Sequence, residues 1–193
     1  AEHYDFYVDH MYVDRIDSRE YKHKKARLLY ADGGIIHVFT ATKHWYLPAR
    51  FYMWIPANTT YHLESTSSRI PLYSFYFKER QDMPSVLSAP NIFLSNDLMR
   101  EMFLFAQDWS GGVSKKTEYS KYCVLRAMMA IIPDTSPPVD AFPMQHPYPK
   151  SEKLRSVARY LNSNLDQAFT IEQIAARFGM SSRSLSRLFK EDM

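Results

Sequence analysis

The residues best suited to a chemical task lie near the C-terminal end of the 193-residue chain. Hydroxyl and cationic side chains recur there at helical spacing, and no acidic residue follows them before Glu191. They are Ser182, Arg183, Ser186, Arg187 and Lys190. Short hydroxyls and long cations suit a helix laid in the major groove, where an arginine can bond guanine bidentately. The pattern therefore predicts a helix that contacts DNA.

Two plainer interpretations remain open for these residues. The helix can belong to an amphipathic hairpin whose charged side is only solvated. Arg187 can also pair with Glu191 one turn away, and a surface ion pair of that kind contributes about 0 to 1 kcal/mol. Both interpretations leave the helix without a DNA-binding role.

The elements that hold this helix are predicted from caps and periodicity. Thr170 and Gln173 form a capping box for one helix, and Ser181 is placed as the N-cap of the next. Gly179 lies where a left-handed residue ends the first helix. Ala175 allows the two helices to approach closely, and Leu185 packs across them. The buried face of the second helix is predicted to be Leu185, Leu188 and Phe189. A preceding helix, capped by Ser151, carries an apolar face at Leu154, Val157, Ala158 and Leu161.

The run from Thr170 to Lys190, TIEQIAARFGMSSRSLSRLFK, resembles the first helix-turn-helix of AraC/XylS-type transcription regulators. The helix from Leu154 to Asn164 is similar to the leading helix of that family. The resemblance implies that Arg183, Ser186 and Arg187 face the bases. It implies phosphate contacts for Ser181, Ser182 and Lys190. Family members carry a second helix-turn-helix, so we expect this chain to be truncated at Met193. We expect strong DNA binding by the parent protein and weak or no specific binding by this chain.

The rest of the chain predicts a sensing part before a linker. Residues 1–132 read as a cupin-like antiparallel β-barrel followed by an α-hairpin, residues 133–149 as a proline-rich linker, and residues 150–193 as an incomplete all-α DNA-binding segment. The fold class is therefore α+β. Strands are expected at Tyr4–Tyr12, Arg27–Tyr30, Ile35–Thr40, Arg50–Ile55, Tyr61–Glu64 and Leu72–Phe77. Six of the eleven prolines lie in the linker, which excludes a continuous helix or an inner strand there.

Two helices are predicted at Asn96–Asp108 and Glu118–Ile132. Apolar residues recur at helical spacing, at Leu98, Met102, Phe105 and Trp109 in the first helix and at Tyr122, Leu125, Met129 and Ile132 in the second. The apolar content of the two helices is larger than one core-facing stripe can account for. It includes Met99, Phe103, Leu104, Phe105, Met128 and Met129. We expect this surplus to be covered by a second copy in a homodimer. The alternative is that both helices pack entirely on the barrel.

An unknown small-molecule effector is expected inside the barrel. Barrel mouths commonly hold ligands among aromatic rings and a few polar groups. Tyr52 and Trp54 are candidate rings, and Arg50 and His62 are candidate polar anchors. The stretch from Ile55 to His62 also resembles the turn and strand that end in a cupin histidine. The alternative is that the aromatic residues only fill the core.

A metal-dependent cupin enzyme is the rival function, and a protein-interaction module is another. A metal site calls for a close pair of histidines with a carboxylate, and His37 and His44 stand seven residues apart. His62 and Glu64 share a strand face, which is common by chance. We therefore expect no catalytic residue, no metal, no cofactor and no enzymatic activity.

Composition sets the remaining limits. Residues 1–149 balance 16 basic against 16 acidic side chains, and residues 150–193 carry 8 against 5, so the formal charge of +3 lies in the C-terminal part. Such an excess is permissive for DNA binding and proves nothing by itself. Cys123 is the only cysteine, which excludes an internal disulfide and a thiolate zinc site. With no apolar run of membrane-spanning length and no signal peptide, we expect a cytoplasmic protein with no membrane partner.

Overall fold

The computed structural model describes residues 4–79, 83–135, 145–147, 149–162, 164 and 167–192. These residues form a mixed α and β fold with a sheet-rich N-terminal part and five α-helices. The chain divides into two compact units. One comprises Ala1–Val38 and Trp45–Gln145, and the other comprises Phe39–His44 and His146–Met193. Of the predicted linker, residues 136–144 and 148 lie outside the described part, and the domain boundaries at 132 and 150 stay predictions.

The first sheet has six strands in the order β10-β7-β4-β9-β1-β11. The pairs with a defined register are antiparallel; Phe6 of β1 faces Phe77 of β9, and Arg27 of β4 faces both Tyr76 of β9 and Ile55 of β7. The strands are β1 (Phe6–Val13), β4 (Ala26–Ala31), β7 (Phe51–Ile55), β9 (Ile70–Phe77), β10 (Asn91–Leu94) and β11 (Gly111–Val113). Strand β4 is buried along its whole length, because both faces of the sheet are covered.

The second sheet runs β12-β6-β5-β8-β2, with β3 also paired to β8. Its strands are β2 (Ile16–Asp17), β3 (Tyr21–Lys22), β5 (Ile35–Thr40), β6 (Lys43–Pro48), β8 (Thr60–Ser65) and β12 (Gln145–Pro147). The closed barrel expected from the sequence was wrong, because the described strands separate into two sheets. Strands β2, β3 and β6 were not predicted. Strands β2 and β3 have only two residues each, so the sequence shows no clear alternation there.

Side-chain alternation along the strands separates two cores. In β4, Leu28 and Tyr30 enter a core that includes residues of α1 and α2, whereas Leu29 and Ala31 enter a core shared with the second sheet. Tyr52 and Met53 of β7 divide between the same two cores. Successive residues of a strand point to opposite faces, so one strand supplies both layers.

Helices α1 (Asp97–Phe105) and α2 (Tyr119–Thr135) follow the strands. Asn96 caps α1, accepting a hydrogen bond from the Met99 backbone at 2.8 Å. The expected stripe of α1 was wrong: Met99, Phe103 and Ala106 are buried, whereas Leu98 and Phe105 are 55% and 67% exposed. In α2 the expected residues Leu125, Met129 and Ile132 are buried, and the helix runs three residues past Ile132 through Pro133. A 3₁₀ turn, Ser85–Leu87, precedes β10.

Candidate nucleic-acid interface

The predicted DNA-contacting residues lie on the last of three C-terminal helices or at its N-cap. The helices are α3 (Glu152–Asn162), α4 (Ile171–Arg177) and α5 (Ser182–Asp192). Ser151 accepts a hydrogen bond from the Leu154 backbone at 3.3 Å, as an N-cap does. The capping box of α4 is complete. Thr170 Oγ1 accepts from the Gln173 backbone at 3.3 Å, and Gln173 Oε1 accepts from the Thr170 backbone at 2.8 Å. Both predicted caps are confirmed.

The connection from α4 to α5 is short and closed by backbone hydrogen bonds. Gly179 has φ +63°, and its backbone N–H donates to Ala176 O at 3.1 Å. The Met180 N–H donates to Ala175 O at 2.8 Å. These two bonds form a Schellman motif, which satisfies helix-end carbonyls that would otherwise lack donors. The position of Gly179 after α4 is confirmed, and this turn sets where α5 begins.

Tight packing fixes α4 and α5 relative to α3. Ala175 and Leu185 are each 1% exposed and share a core with Leu154, Val157 and Ile174. Leu188 and Phe189 are half-buried against the same core. Arg177 lies over the Tyr160 ring, with its Cζ 4.2 Å from the ring centroid. Because α5 buries this side, its orientation leaves the cationic side outward.

The outward side of α5 carries the predicted contact residues. Arg183, Arg187 and Lys190 are exposed, and Ser182 and Ser186 are half-buried. Arg183, Ser186, Arg187 and Lys190 line one shallow surface depression together with Ser184. Arg187 Nε lies 3.8 Å from Glu191 Oε1, with both side chains mostly exposed. That distance is near the limit for an ion pair, and such a surface pair adds little stability.

Ser181 has a structural task in addition to the predicted one. Its Oγ accepts a hydrogen bond from the Ser184 backbone at 3.1 Å and lies 2.9 Å from Ser184 Oγ. The hydroxyl therefore caps α5, as the sequence predicted. A phosphate contact by Ser181 stays a prediction, as does each base or phosphate contact assigned to α5.

Comparison with known proteins bears on the fold of this chain. No protein-family model matches the sequence, and no curated protein matches it. Among solved structures, the AraC-like transcriptional activator CuxR matches with a TM-score of 0.50 and 13% identity, over 96% of this chain and 70% of that protein. The chain shares an AraC-like fold.

Two structures of ToxT from Vibrio cholerae are weaker matches to this AraC-like fold. One has a TM-score of 0.46 at 7% identity, covering 96% of this chain and 75% of ToxT. The other, ToxT of strain SCE256 bound to an unsaturated fatty acid, has a TM-score of 0.44 at 10% identity, covering 96% and 73%.

The four predicted effector contacts lie in different environments of the AraC-like fold. Tyr52 and Trp54 are fully buried in the core beneath α1 and α2, where Trp54 Nε1 donates to Leu87 O at 2.9 Å. Arg50 is exposed at the turn before β7, with φ +68°. His62 lies on β8 of the second sheet, 3.3 Å from Glu64 Oε1. The structure does not gather these four side chains into one site.

A cluster around Arg27 was missed by the sequence reasoning. Its guanidinium is 6% exposed and donates to Tyr61 Oη at 2.8 Å and Ser74 Oγ at 2.7 Å. Tyr21 and Tyr76 place their rings beside it. The only signal in the sequence is a charge between apolar residues in ARLLY, at positions 26–30.

The placement of titratable side chains and the length of the helices are also described by the structure. Within the described residues, no group of three or more His, Cys, Asp or Glu side chains is placed to hold a metal ion. Burial lowers the pKa of His37, and Glu64 partly opposes that shift. Over the same part of the chain, no helix is both long and apolar enough to span a membrane.

Proposed function

We propose that this protein is a sequence-specific DNA-binding transcription regulator whose α4 and α5 act as a helix-turn-helix, with α5 in the major groove. The observation that carries the proposal is the outward side of α5, which presents Arg183, Arg187 and Lys190 without a competing buried partner. A helix fixed by a capped neighbour and a Schellman turn presents such side chains in a constant direction. The AraC-like fold shared with CuxR, a transcriptional activator, supports the same conclusion.

Phosphate contacts and base contacts affect DNA affinity differently, and we assign them to different residues of α5 and its N-cap. Arg183, Ser186 and Arg187 read bases, and Ser181, Ser182 and Lys190 hold phosphates. Phosphate neutralisation makes affinity fall with salt, whereas base contacts set the ratio between specific and random DNA. The protein acts as a homodimer on a repeated operator and responds to a small-molecule effector held by the sheet-rich part.

The test is salt-dependent binding of the 193-residue chain to random-sequence duplex DNA, followed by fluorescence anisotropy. The double variant Arg187→Ala/Lys190→Ala removes two cations from α5. We expect it to reduce the salt slope by about one unit and to weaken binding at low salt several-fold, because the phosphate contact of Lys190 is lost and Arg187 is assigned to bases.

The matched control is Lys115→Ala/Lys116→Ala, which removes the same charge from two exposed positions before α2. This control should bind like the unsubstituted chain. If both double variants lose DNA affinity equally, the effect comes from the net charge of the protein and not from α5. Salt-insensitive binding, or none at low salt, would contradict the DNA-binding function.

Dimerisation belongs to the same proposal and rests on a smaller surface than the sequence suggested. Four of the six apolar residues expected at the interface, Met99, Phe103, Met128 and Met129, are buried within the protomer. The large apolar residues of α1 that stay exposed are Leu98 and Phe105, seven positions apart and so on one helix face. Phe105 contacts the Trp109 ring edge-on at 5.5 Å. This face is the proposed contact with a second copy.

A further inference from the structure

Arg27 is buried between the two sheets without a counter-ion. It lies on β4, on the side that also carries Leu29 and Ala31, both in the core between the sheets. The described residues provide no carboxylate within ion-pair distance of it. Asp9, which the register places on this face opposite Ser74, forms no ion pair with Arg27. A buried guanidinium without a counter-ion is costly, so its presence calls for a reason.

The groups around Arg27 are neutral hydroxyls and rings. Burial raises the pKa of Tyr61 to about 12, although Arg27 partly opposes that shift, so Tyr61 is an uncharged phenol at neutral pH. The rings of Tyr21, Tyr61 and Tyr76 have their centroids 5.9, 5.8 and 5.5 Å from Arg27 Cζ. Such contacts attract a cation without neutralising it. The positive charge is therefore available to an anion.

Hydrogen-bond donors in the cluster are left without acceptors. A guanidinium has five N–H donors. Two are used by Tyr61 and Ser74, and the buried Nε–H of Arg27 has no partner. His23, whose ring lies 5.0 Å from that of Tyr76, also has a buried Nε2 without a partner. Burial and, after it, the charge of Arg27 lower the pKa of His23, so the two unsatisfied groups lie near each other.

Two rings of the cluster are partly exposed and lie outside the long strands. Tyr21 and His23 are only half-buried, and their rings stack at 5.7 Å. Tyr21 belongs to β3, a two-residue strand held through β8. Tyr21 and His23 are thus a partly exposed side of the cluster, and neither lies on the long strands β4 and β9.

We propose that Arg27, Tyr61 and Ser74 bind the carboxylate of a small carboxylic acid, whose apolar or aromatic body lies against Tyr21, His23 and Tyr76. The planar fork of arginine matches a carboxylate, and two nearby hydroxyls donate to the same oxygens. One buried cation balances a monoanion, and a phosphate dianion would remain undercompensated. The site differs from the predicted set at Arg50, Tyr52, Trp54 and His62. Only the role of the acid as effector rests on the proposed regulatory function.

The experiment measures the melting temperature of the 193-residue chain with benzoate, with benzamide as the neutral molecule of the same shape, and with inorganic phosphate. Benzoate at several times its Kd is expected to raise Tm by about 2–4 °C, because a ligand that binds the folded state stabilises it. Benzamide and phosphate are expected to leave Tm unchanged.

Variants at Arg27 distinguish a ligand site from a structural cation. Arg27→Met should abolish the benzoate shift while leaving the unliganded Tm equal or higher, because an uncompensated buried charge is removed. Arg27→Lys keeps the positive charge but lacks the planar fork of the guanidinium, so it should weaken benzoate binding at least tenfold. This variant provides the test if Arg27→Met does not fold. Arg126→Met, at an exposed position of α2, is the matched control and should keep the full shift.

The proposal is overturned if benzoate does not raise Tm, if benzamide or phosphate gives the same shift, or if the shift survives in Arg27→Met. A titration of DNA with and without benzoate separates this site from the regulatory function. If benzoate binds and DNA affinity stays unchanged, the carboxylate site is kept and its role as an effector site is wrong. If the chain does not bind DNA at all, the change in Tm with benzoate still tests the carboxylate site.

Discussion

At the scale of single residues, Arg187 and Lys190 have different proposed tasks on the same helix. Arg187→Ala should weaken binding to a selected operator by about 1 to 3 kcal/mol and change random-sequence binding little, because a bidentate base contact is lost. Lys190→Ala should weaken both and flatten the salt slope by about one unit. Titrations with the selected operator and with random-sequence duplexes, at several salt concentrations, measure these effects.

The ion pair of Arg187 with Glu191 offers the internal control for that experiment. Glu191→Gln removes the 3.8 Å partner and leaves the guanidinium in place. Operator affinity should stay the same or rise slightly. If Arg187→Ala lowers operator and random affinities by one common factor, the base-reading role of Arg187 is wrong.

Asp192 links the end of α5 to the start of α3, since the Ser151 N–H donates to its Oδ2 at 2.9 Å. That hydrogen bond lowers the pKa of Asp192, with burial partly opposing the shift. A lowered folded-state pKa means that the carboxylate stabilises the fold above its unfolded pKa and loses this effect as pH falls through the folded value. Asp192→Asn should therefore lower Tm at pH 7 and reduce the acid dependence of Tm below about pH 4. Glu191→Gln is the control and is expected to leave the acid dependence of Tm unchanged. If both variants show the same dependence of Tm on pH, Asp192 does not stabilise the contact between α5 and α3.

At the scale of elements, the turn between α4 and α5 depends on the backbone of Gly179. The space where a Cβ would lie is open, so a substitution there costs backbone strain alone. Gly179→Ala should lower the free energy of unfolding by about 1 to 2 kcal/mol, because a left-handed conformation disfavours a Cβ. Gly179→Asn should cost less, since asparagine tolerates that conformation. Urea denaturation measures both variants, and equal losses would show that φ is not the cause.

At the scale of the whole molecule, self-association is expected through the exposed face of α1. Phe105→Glu should raise the dimer dissociation constant at least tenfold, because a charge replaces an aromatic ring that is 67% exposed in the protomer. Tyr12→Glu changes an equally exposed ring on β1 and serves as the control. Sedimentation velocity over a concentration series measures both. A monomer at high micromolar concentration, or an equal effect of the two variants, contradicts this interface.

The sequence by itself determined the elements whose signals are local. Caps at Ser151, Thr170 and Ser181 and the glycine turn at Gly179 depend on residues within about five positions, and all four are observed. Each of the predicted strand segments also falls on a strand, because β-branched and aromatic residues between turn signals favour strands locally. The outward side of α5 follows from the same periodicity.

Only the tertiary structure decided which of two apolar faces is buried and which distant groups meet. Both stripes of α1 are apolar, so periodicity cannot choose between Leu98 with Phe105 and Met99 with Phe103; docking on the sheet chooses the second pair. Separation into two sheets rather than a barrel likewise depends on pairing between distant strands. Arg27 meets Tyr61 and Ser74 through two different strands, and β4 is buried on both faces, so alternation gives no sign of a buried cation. Contacts of this kind depend on strand order and register, which no local pattern specifies.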